Sequence, residues 1–123
     1  MKTIFFIAIG GALGSVLRYL TGLGVNKIWS FNFPLGTFIA NCIGCFLIGV
    51  FWSYFDKQTT YSQELKFFLI TGICGGYTTF STFSNENIQL IGNNQLGLAL
   101  FYTALSIIIG FGMTYLGILI TRN

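Results

Sequence analysis

The chain is expected to fold as an all-α integral membrane protein: four transmembrane helices, with a break in the third, forming a single domain over residues 1–123. Three observations lead there. Only 7% of the 123 residues are charged and 54% are hydrophobic, whereas a soluble domain carries about 25% charged residues; mean hydropathy is +0.75. Apolar stretches near residues 4–25, 35–55, 65–91 and 96–120 each meet the roughly 20 residues that a helix needs to cross hydrocarbon. Within the third lies Gly72-Ile73-Cys74-Gly75-Gly76-Tyr77-Thr78-Thr79-Phe80-Ser81-Thr82-Phe83. Adjacent glycines followed by a run of hydroxyls are poor material for a lipid-facing helix. Backbone freed by a helix break survives at membrane depth only if it is buried in protein or lines a wet cavity or an ion. Such a break marks a permeation or binding site.

The elements follow in order. The first apolar stretch begins after Lys2 and runs past Arg18, too long for a signal core, so it reads as a first span. Gly10-x-x-x-Gly14 within it allows close helix approach. The linker holding Asn26, Lys27, Trp29, Ser30 and Asn32 is closed by Pro34, the only proline, which suits the first turn of the next helix. Gly36, Ala40 and Gly44 form a second small-residue stripe in span two. Residues 56–64 are the most polar linker, and residues 92–95 form a tight turn. Trp29, Trp52, Tyr54 and Tyr61 fall near span ends, where amphipathic rings sit at the headgroups. With four spans both termini share a side, which carries Lys2, Lys57, Lys66 and Arg122 against Lys27 and Arg18 opposite. This slightly favours a cytoplasmic N-terminus, and so weak a bias is also what insertion in both orientations would show.

Composition excludes several classes. The net charge of +3 is spread without a basic run, so nucleic-acid binding is not expected. Histidine is absent and the acids number three, Asp56, Glu64 and Glu86; general acid–base chemistry has little to work with, and no enzyme is expected. Cys42-x-x-Cys45 and Cys74 lie in apolar surroundings and read as packing residues, with no disulfide.

The polar residues inside the spans are the unusual ones. Thr37 and Asn41 lie one turn apart in span two; a mid-membrane amide needs a partner, and a helix–helix hydrogen bond is its ordinary role. Tyr102, Ser106, Gly110 and Thr114 recur every four residues in span four, a hydroxyl-bearing stripe interrupted at Gly110. Those hydroxyls also have the option of bonding their own backbone. Phe80 and Phe83 share a face after the break, among Thr78, Thr79, Ser81, Thr82 and Ser84. Phenyl edges carry partial positive charge, so two rings edge-on suit a small dehydrated anion; lipid-facing packing is the plainer reading. Arg18 is a functional suspect by its charge, or it snorkels to the interface. Glu86, between Asn85 and Asn87, either pairs with a donor inside the protein or reaches the surface.

Taken together, Gly10-Gly11-x-x-Gly14 with Arg18-Tyr19, Gly36-Thr37 with Asn41 and Gly44, and the run from Gly72 to Phe83 resemble the CrcB/Fluc fluoride channel family. The likeness covers all four spans. It implies a fluoride-selective passive channel in the cell's inner (plasma) membrane, multi-pass, exporting fluoride and assembled as an antiparallel, dual-topology homodimer among membrane lipid. It implies a structural sodium ion on the dimer axis, held by the backbone carbonyls of Gly75 and Thr78. It places Thr37, Asn41, Phe80, Phe83, Tyr102, Ser106 and Thr114 along the ion pathway and Arg18 near its vestibule. Two other readings stand beside it. A dual-topology proton-coupled multidrug exporter would need a membrane carboxylate as its shared site, for which Glu86 is the sole candidate. A non-transporting assembly subunit would account for the glycine stripes but not for the hydroxyl-rich break.

Overall fold

Near Thr78 the third span comes apart, and the rest of the molecule is arranged around that point. The computed structural model describes residues 1–58 and 60–122. In chain order the elements are α1 (Lys2–Ile28), α2 (Leu35–Lys57), α3 (Gln63–Lys66), a π-helical segment (Phe67–Cys74), α4 (Gly75–Tyr77), α5 (Phe80–Gly92) and α6 (Leu96–Arg122). Among the described residues, three helices are long and apolar enough to cross a membrane: α1, α2 and α6. The remaining span is assembled from α3, the π-helical segment and α4 in one continuous run, then α5 beyond two extended residues. The architecture is that of a helical membrane protein with one bent, interrupted span.

Helix ends follow the local chemistry. Pro34 immediately precedes α2, and its carbonyl accepts from Phe38 N–H at 3.2 Å. The Ser62 hydroxyl accepts from Leu65 N–H at 3.3 Å and caps α3. The tight turn after α5 puts Asn94 at φ 62°, a left-handed conformation that asparagine tolerates better than most residues. Gln95 N–H closes the turn on the Leu90 carbonyl at 2.8 Å. At the other end of the molecule the Lys66 ammonium lies 5.1 Å from the Trp52 ring and 5.8 Å from the Tyr61 ring.

In lipid no hydrophobic force draws apolar helices together, so close van der Waals contact has to do it. Two glycine-lined crossings supply that contact. Where α1 passes the π-helical segment, a Cβ on Gly10 would lie 2.6 Å from the Phe68 carbonyl oxygen and 2.9 Å from Gly72 Cα. A Cβ on Gly76 would lie 2.5 Å from the Gly11 carbonyl oxygen. Where α2 passes α6, a Cβ on Gly49 would strike the Thr114 carbonyl and one on Gly117 the Phe46 carbonyl. The span-two stripe faces elsewhere: Gly36 approaches Gly22 of α1, and Gly44 leaves room for the Thr78 methyl. Away from the cleft, α1 and α6 carry exposed apolar side chains such as Leu13, Val16, Leu20, Leu100 and Ile108.

The break falls within the expected run, at its threonines rather than at its adjacent glycines. The adjacent glycines were the natural place for it, because glycine tolerates any backbone region. Gly75 is instead helical, at φ −63° and ψ −39°, and no described glycine has positive φ. The chain opens one turn later, at Thr78 (φ −90°, ψ 158°) and Thr79 (φ −152°, ψ 124°). These are extended conformations that β-branched residues favour. Gly72 and Gly76 are small because the α1 backbone occupies the space a side chain would take. A Cβ on Gly75 would meet only the Ile70 carbonyl oxygen, at 3.9 Å, so backbone strain gives no reason for glycine there. Upstream, the π-helical segment gives the chain its wider register, with Gly75 N–H reaching the Ile70 carbonyl five residues back.

Candidate functional site

The site is best built by asking where each backbone group at the break finds its partner. In an unbroken helix Thr79 N–H would return to the Gly75 carbonyl, Phe80 N–H to Gly76 and Thr82 N–H to Thr78. None of these bonds forms. Thr79 N–H donates to Asn41 Oδ1 at 2.8 Å, and Asn41 Nδ2 donates to the Thr79 carbonyl at 3.2 Å. Thr82 N–H donates to Thr79 Oγ1 at 3.1 Å, making Thr79 the N-cap of α5. The Gly76 carbonyl accepts from Arg18 Nε at 3.2 Å. The Cys74 carbonyl keeps its helical donor, Thr78 N–H at 3.1 Å, and also accepts from the Thr78 hydroxyl at 2.9 Å. The donors of Gly75 and Thr78 have thus been diverted to side chains, and their carbonyls lose their helical partners.

Both residues border a cleft of about 410 Å³, with Asn41, Phe80, Phe83 and Ser106 among the others around it. Phe80 is 78% exposed. Its ring centroid lies 5.8 Å from that of Phe83, with planes inclined by 43°. Phe83 leans in turn on Tyr102, at 4.9 Å. All three cysteines are free and border the same cleft, where they act as small apolar wall residues. No group of three or more His, Cys, Asp or Glu side chains among the described residues is placed to hold a metal. A cation here would therefore be held by main-chain oxygen, a donor type that suits a hard ion, and the partnerless Gly75 and Thr78 carbonyls fit that requirement.

Sequence reasoning left the orientation of Glu86 open between a donor inside the protein and the surface. The side chain turns in and is half-buried. Thr37 Oγ1 donates to one carboxylate oxygen at 2.8 Å, and the Tyr102 hydroxyl donates to the other at 2.9 Å. Thr37 and Tyr102 are thus tied to Glu86 rather than standing free, and Tyr102 is fully buried. The findable signal was the spacing: Phe83, Glu86, Asn87 and Leu90 share the inward face of α5 at helical intervals, and Asn87 Oδ1 accepts from the Thr103 hydroxyl of α6 at 3.1 Å. Arg18 lies on the α1 side of the break, bordering a separate polar cavity of about 330 Å³ with Ser15, Asn26 and Thr37. The span-four stripe divides: Ser106 and Gly110 border the cleft, while Thr114 sits beside the Gly49 crossing.

An interrupted helix with capped ends facing a cleft, beside three long apolar helices, defines the class as a helical integral membrane protein with one broken span. The family described as "CrcB-like protein, Camphor Resistance (CrcB)" matches residues 5–118. The chain is 57% identical, over 123 residues, to a protein of Flavobacterium psychrophilum named "Fluoride-specific ion channel FluC", covering 100% of this chain and 99% of that one. Proteins of the same name from Bacteroides fragilis and Leptospira interrogans are 48% identical over 113 residues and 39% identical over 122 residues. They cover 89% and 99% of this chain, and 88% and 96% of their own lengths. The chain belongs to the CrcB family.

Asn41 satisfies a donor and an acceptor of the same residue, so its loss is felt twice. Asn41→Leu leaves both Thr79 backbone groups unpaired, at about 1–3 kcal/mol each. Hydrogen–deuterium exchange of the peptide containing Thr79 should accelerate strongly and thermal stability should fall. An unchanged exchange rate in a folded Asn41→Leu protein would show that the break holds itself without Asn41.

Proposed function

We propose that the chain is a fluoride-selective passive channel, multi-pass in the cell's inner (plasma) membrane, which exports fluoride and relieves its toxicity. The observation that carries this reading is the break itself, bordered by Asn41, Phe80, Phe83 and Ser106 in one cleft, in a chain whose relatives bear the fluoride channel name. Fluoride is small and tightly hydrated, so a pore must replace its water with donors and yet let the ion leave. The cleft offers neutral donors of that kind. Asn41 spends one amide hydrogen on the Thr79 carbonyl and has a second to offer. The Ser106 hydroxyl, the N-terminal end of α5 and the positive edges of two phenyl rings complete the set. Further along, Thr37 and Tyr102 give their hydroxyls to Glu86, so an anion reaching that level competes with a carboxylate for the same donors. Arg18 borders the polar cavity next to Thr37 and serves as its vestibule charge. Thr114 remains a proposed outer pathway residue. The exporter and assembly readings are not favoured: the relatives carry the channel name, and both Glu86 oxygens are occupied by hydroxyl donors.

The same chain makes a homodimer in this reading, with subunits in opposite orientations. Gly75, Phe80, Ser81, Ser84 and Asn85 are all exposed along one side of the broken span. Hydrocarbon cannot satisfy polar groups at that depth, whereas a second copy of the break can. A structural sodium ion is proposed between the two copies, held by the Gly75 and Thr78 carbonyls of each. When bound, the ion supplies a compact positive charge where two C-terminal helix ends would otherwise face each other. The break then serves a cation with its carbonyl end and an anion with its amide end.

Three measurements check these readings. Phe80→Ile or Phe83→Ile keeps an apolar side chain but removes the ring quadrupole; fluoride efflux from liposomes should fall about tenfold, for about 1.4 kcal/mol lost, while the protein stays folded and dimeric. Wild-type flux in both folded variants would remove the rings from the pathway. Replacing sodium by N-methyl-glucamine through purification should lower thermal stability of the dimer by about 2–3 kcal/mol, if sodium had been present at about a hundredfold its Kd. Cross-linking in bilayers should capture antiparallel pairs; parallel pairs alone, with no response to sodium, would refute this assembly.

A further inference from the structure

The outer flank of the break is held from α1. Gly10, Gly14, Arg18 and Thr21 follow at intervals of three or four residues and so share one face of that helix. Gly10 and Gly14 admit the backbone of the π-helical segment. One turn on, the same face becomes polar as the pre-break helix nears its end. Arg18 Nε donates to the Gly76 carbonyl at 3.2 Å, and the Thr21 and Tyr77 hydroxyls pair at 2.7 Å. Tyr77 is buried, and its amide lies 2.9 Å from where a Cβ on Gly14 would be.

The backbone accounting gives this contact a purpose. Phe80 N–H would serve the Gly76 carbonyl in a continuous helix, and the break takes it away. The guanidinium stands in its place, at the helix C-terminus where a cation is favoured. We propose that Arg18 is a positioning residue for the break. By occupying the Gly76 carbonyl from α1, it fixes the turn that aims the neighbouring Gly75 and Thr78 carbonyls, and so sets the cation site from outside it. The consequence for sodium rests on the cation-site reading above; the brace itself does not.

A bare positive charge attracting anions to the cavity it borders would make different demands. Lysine would satisfy that role, since it keeps the charge, but it lacks the planar Nε–H that reaches Gly76. The test uses the full-length dimer in wild-type, Arg18→Lys, Arg18→Met and Thr21→Val forms. Two readouts are taken: the sodium concentration giving half-maximal thermal stabilisation, and deuterium exchange of amides in residues 77–82. Arg18→Met should raise the half-maximal sodium concentration about tenfold or more, the loss expected for a charge-assisted hydrogen bond. It should also speed exchange at residues 77–82. Arg18→Lys should move both readouts in the same direction, and Thr21→Val should do so more weakly. Arg18→Lys matching wild type on both readouts overturns the proposal, as does Arg18→Met leaving both unchanged. If Arg18→Met fails to fold, Arg18→Lys and Thr21→Val decide by the same criteria. If wild type itself shows no sodium response, the cation reading fails. Exchange then judges the brace alone: faster in the variants upholds it, unchanged overturns it.

Discussion

An unpaired peptide group has no partner in hydrocarbon, and the structure of this chain is organised around that fact. Breaking the third span at Thr78 and Thr79 detaches several amides and carbonyls from their helical partners at once. Each neighbouring element then supplies what is missing. Span two contributes Asn41, which takes both backbone groups of Thr79. Span one contributes Arg18, which takes Gly76. The Thr79 side chain caps the helix it begins. The two carbonyls whose donors were diverted are those of Gly75 and Thr78, which border the cleft. The proposed cation site uses what satisfaction of the backbone has left over.

The glycines serve the same end by another route. Side chains that rescue broken backbone must come close to it, and in lipid only small residues let helices approach so nearly. Gly10, Gly14, Gly72 and Gly76 bring α1 against the pre-break helix, near enough for Arg18 and Thr21 to reach the next turn. Gly44 clears space for the Thr78 methyl, which keeps Asn41, one turn away on α2, beside the break. The Gly49–Gly117 crossing holds α6 against α2, and from α6 Tyr102 meets Glu86. Packing and chemistry are thus hard to separate along these faces.

Much of this was legible in the sequence, because membrane depth makes strong demands on it. Span lengths follow from apolar runs, and the tight turn at Asn94 from residue type alone. The hydroxyl-rich run after Gly76 announced an interruption, and Asn41 announced a need for a partner. What the sequence hid were the identities of partners. Adjacent glycines suggested backbone freedom at Gly75, whereas Gly76 is small because Gly11 lies against it and the opening falls at two threonines. The spacing along α5 hinted that Glu86 turns inward, but its partners Thr37 and Tyr102 arrive from two other helices and could not be read from that pattern. Close approach and long-range pairing are tertiary facts, and a pattern along one helix does not contain them.

The central claim is that a single chain type, with only neutral residues lining the cleft at its break, passes fluoride and little else. Liposomes containing only this protein, loaded with equimolar fluoride and chloride and released by a potassium ionophore, test it directly through ion-selective electrodes. The account predicts rapid fluoride efflux, dependent on protein and passive with the gradient, with chloride efflux no faster than from protein-free liposomes. Equal efflux of both anions, or efflux of neither from correctly folded protein, would contradict it.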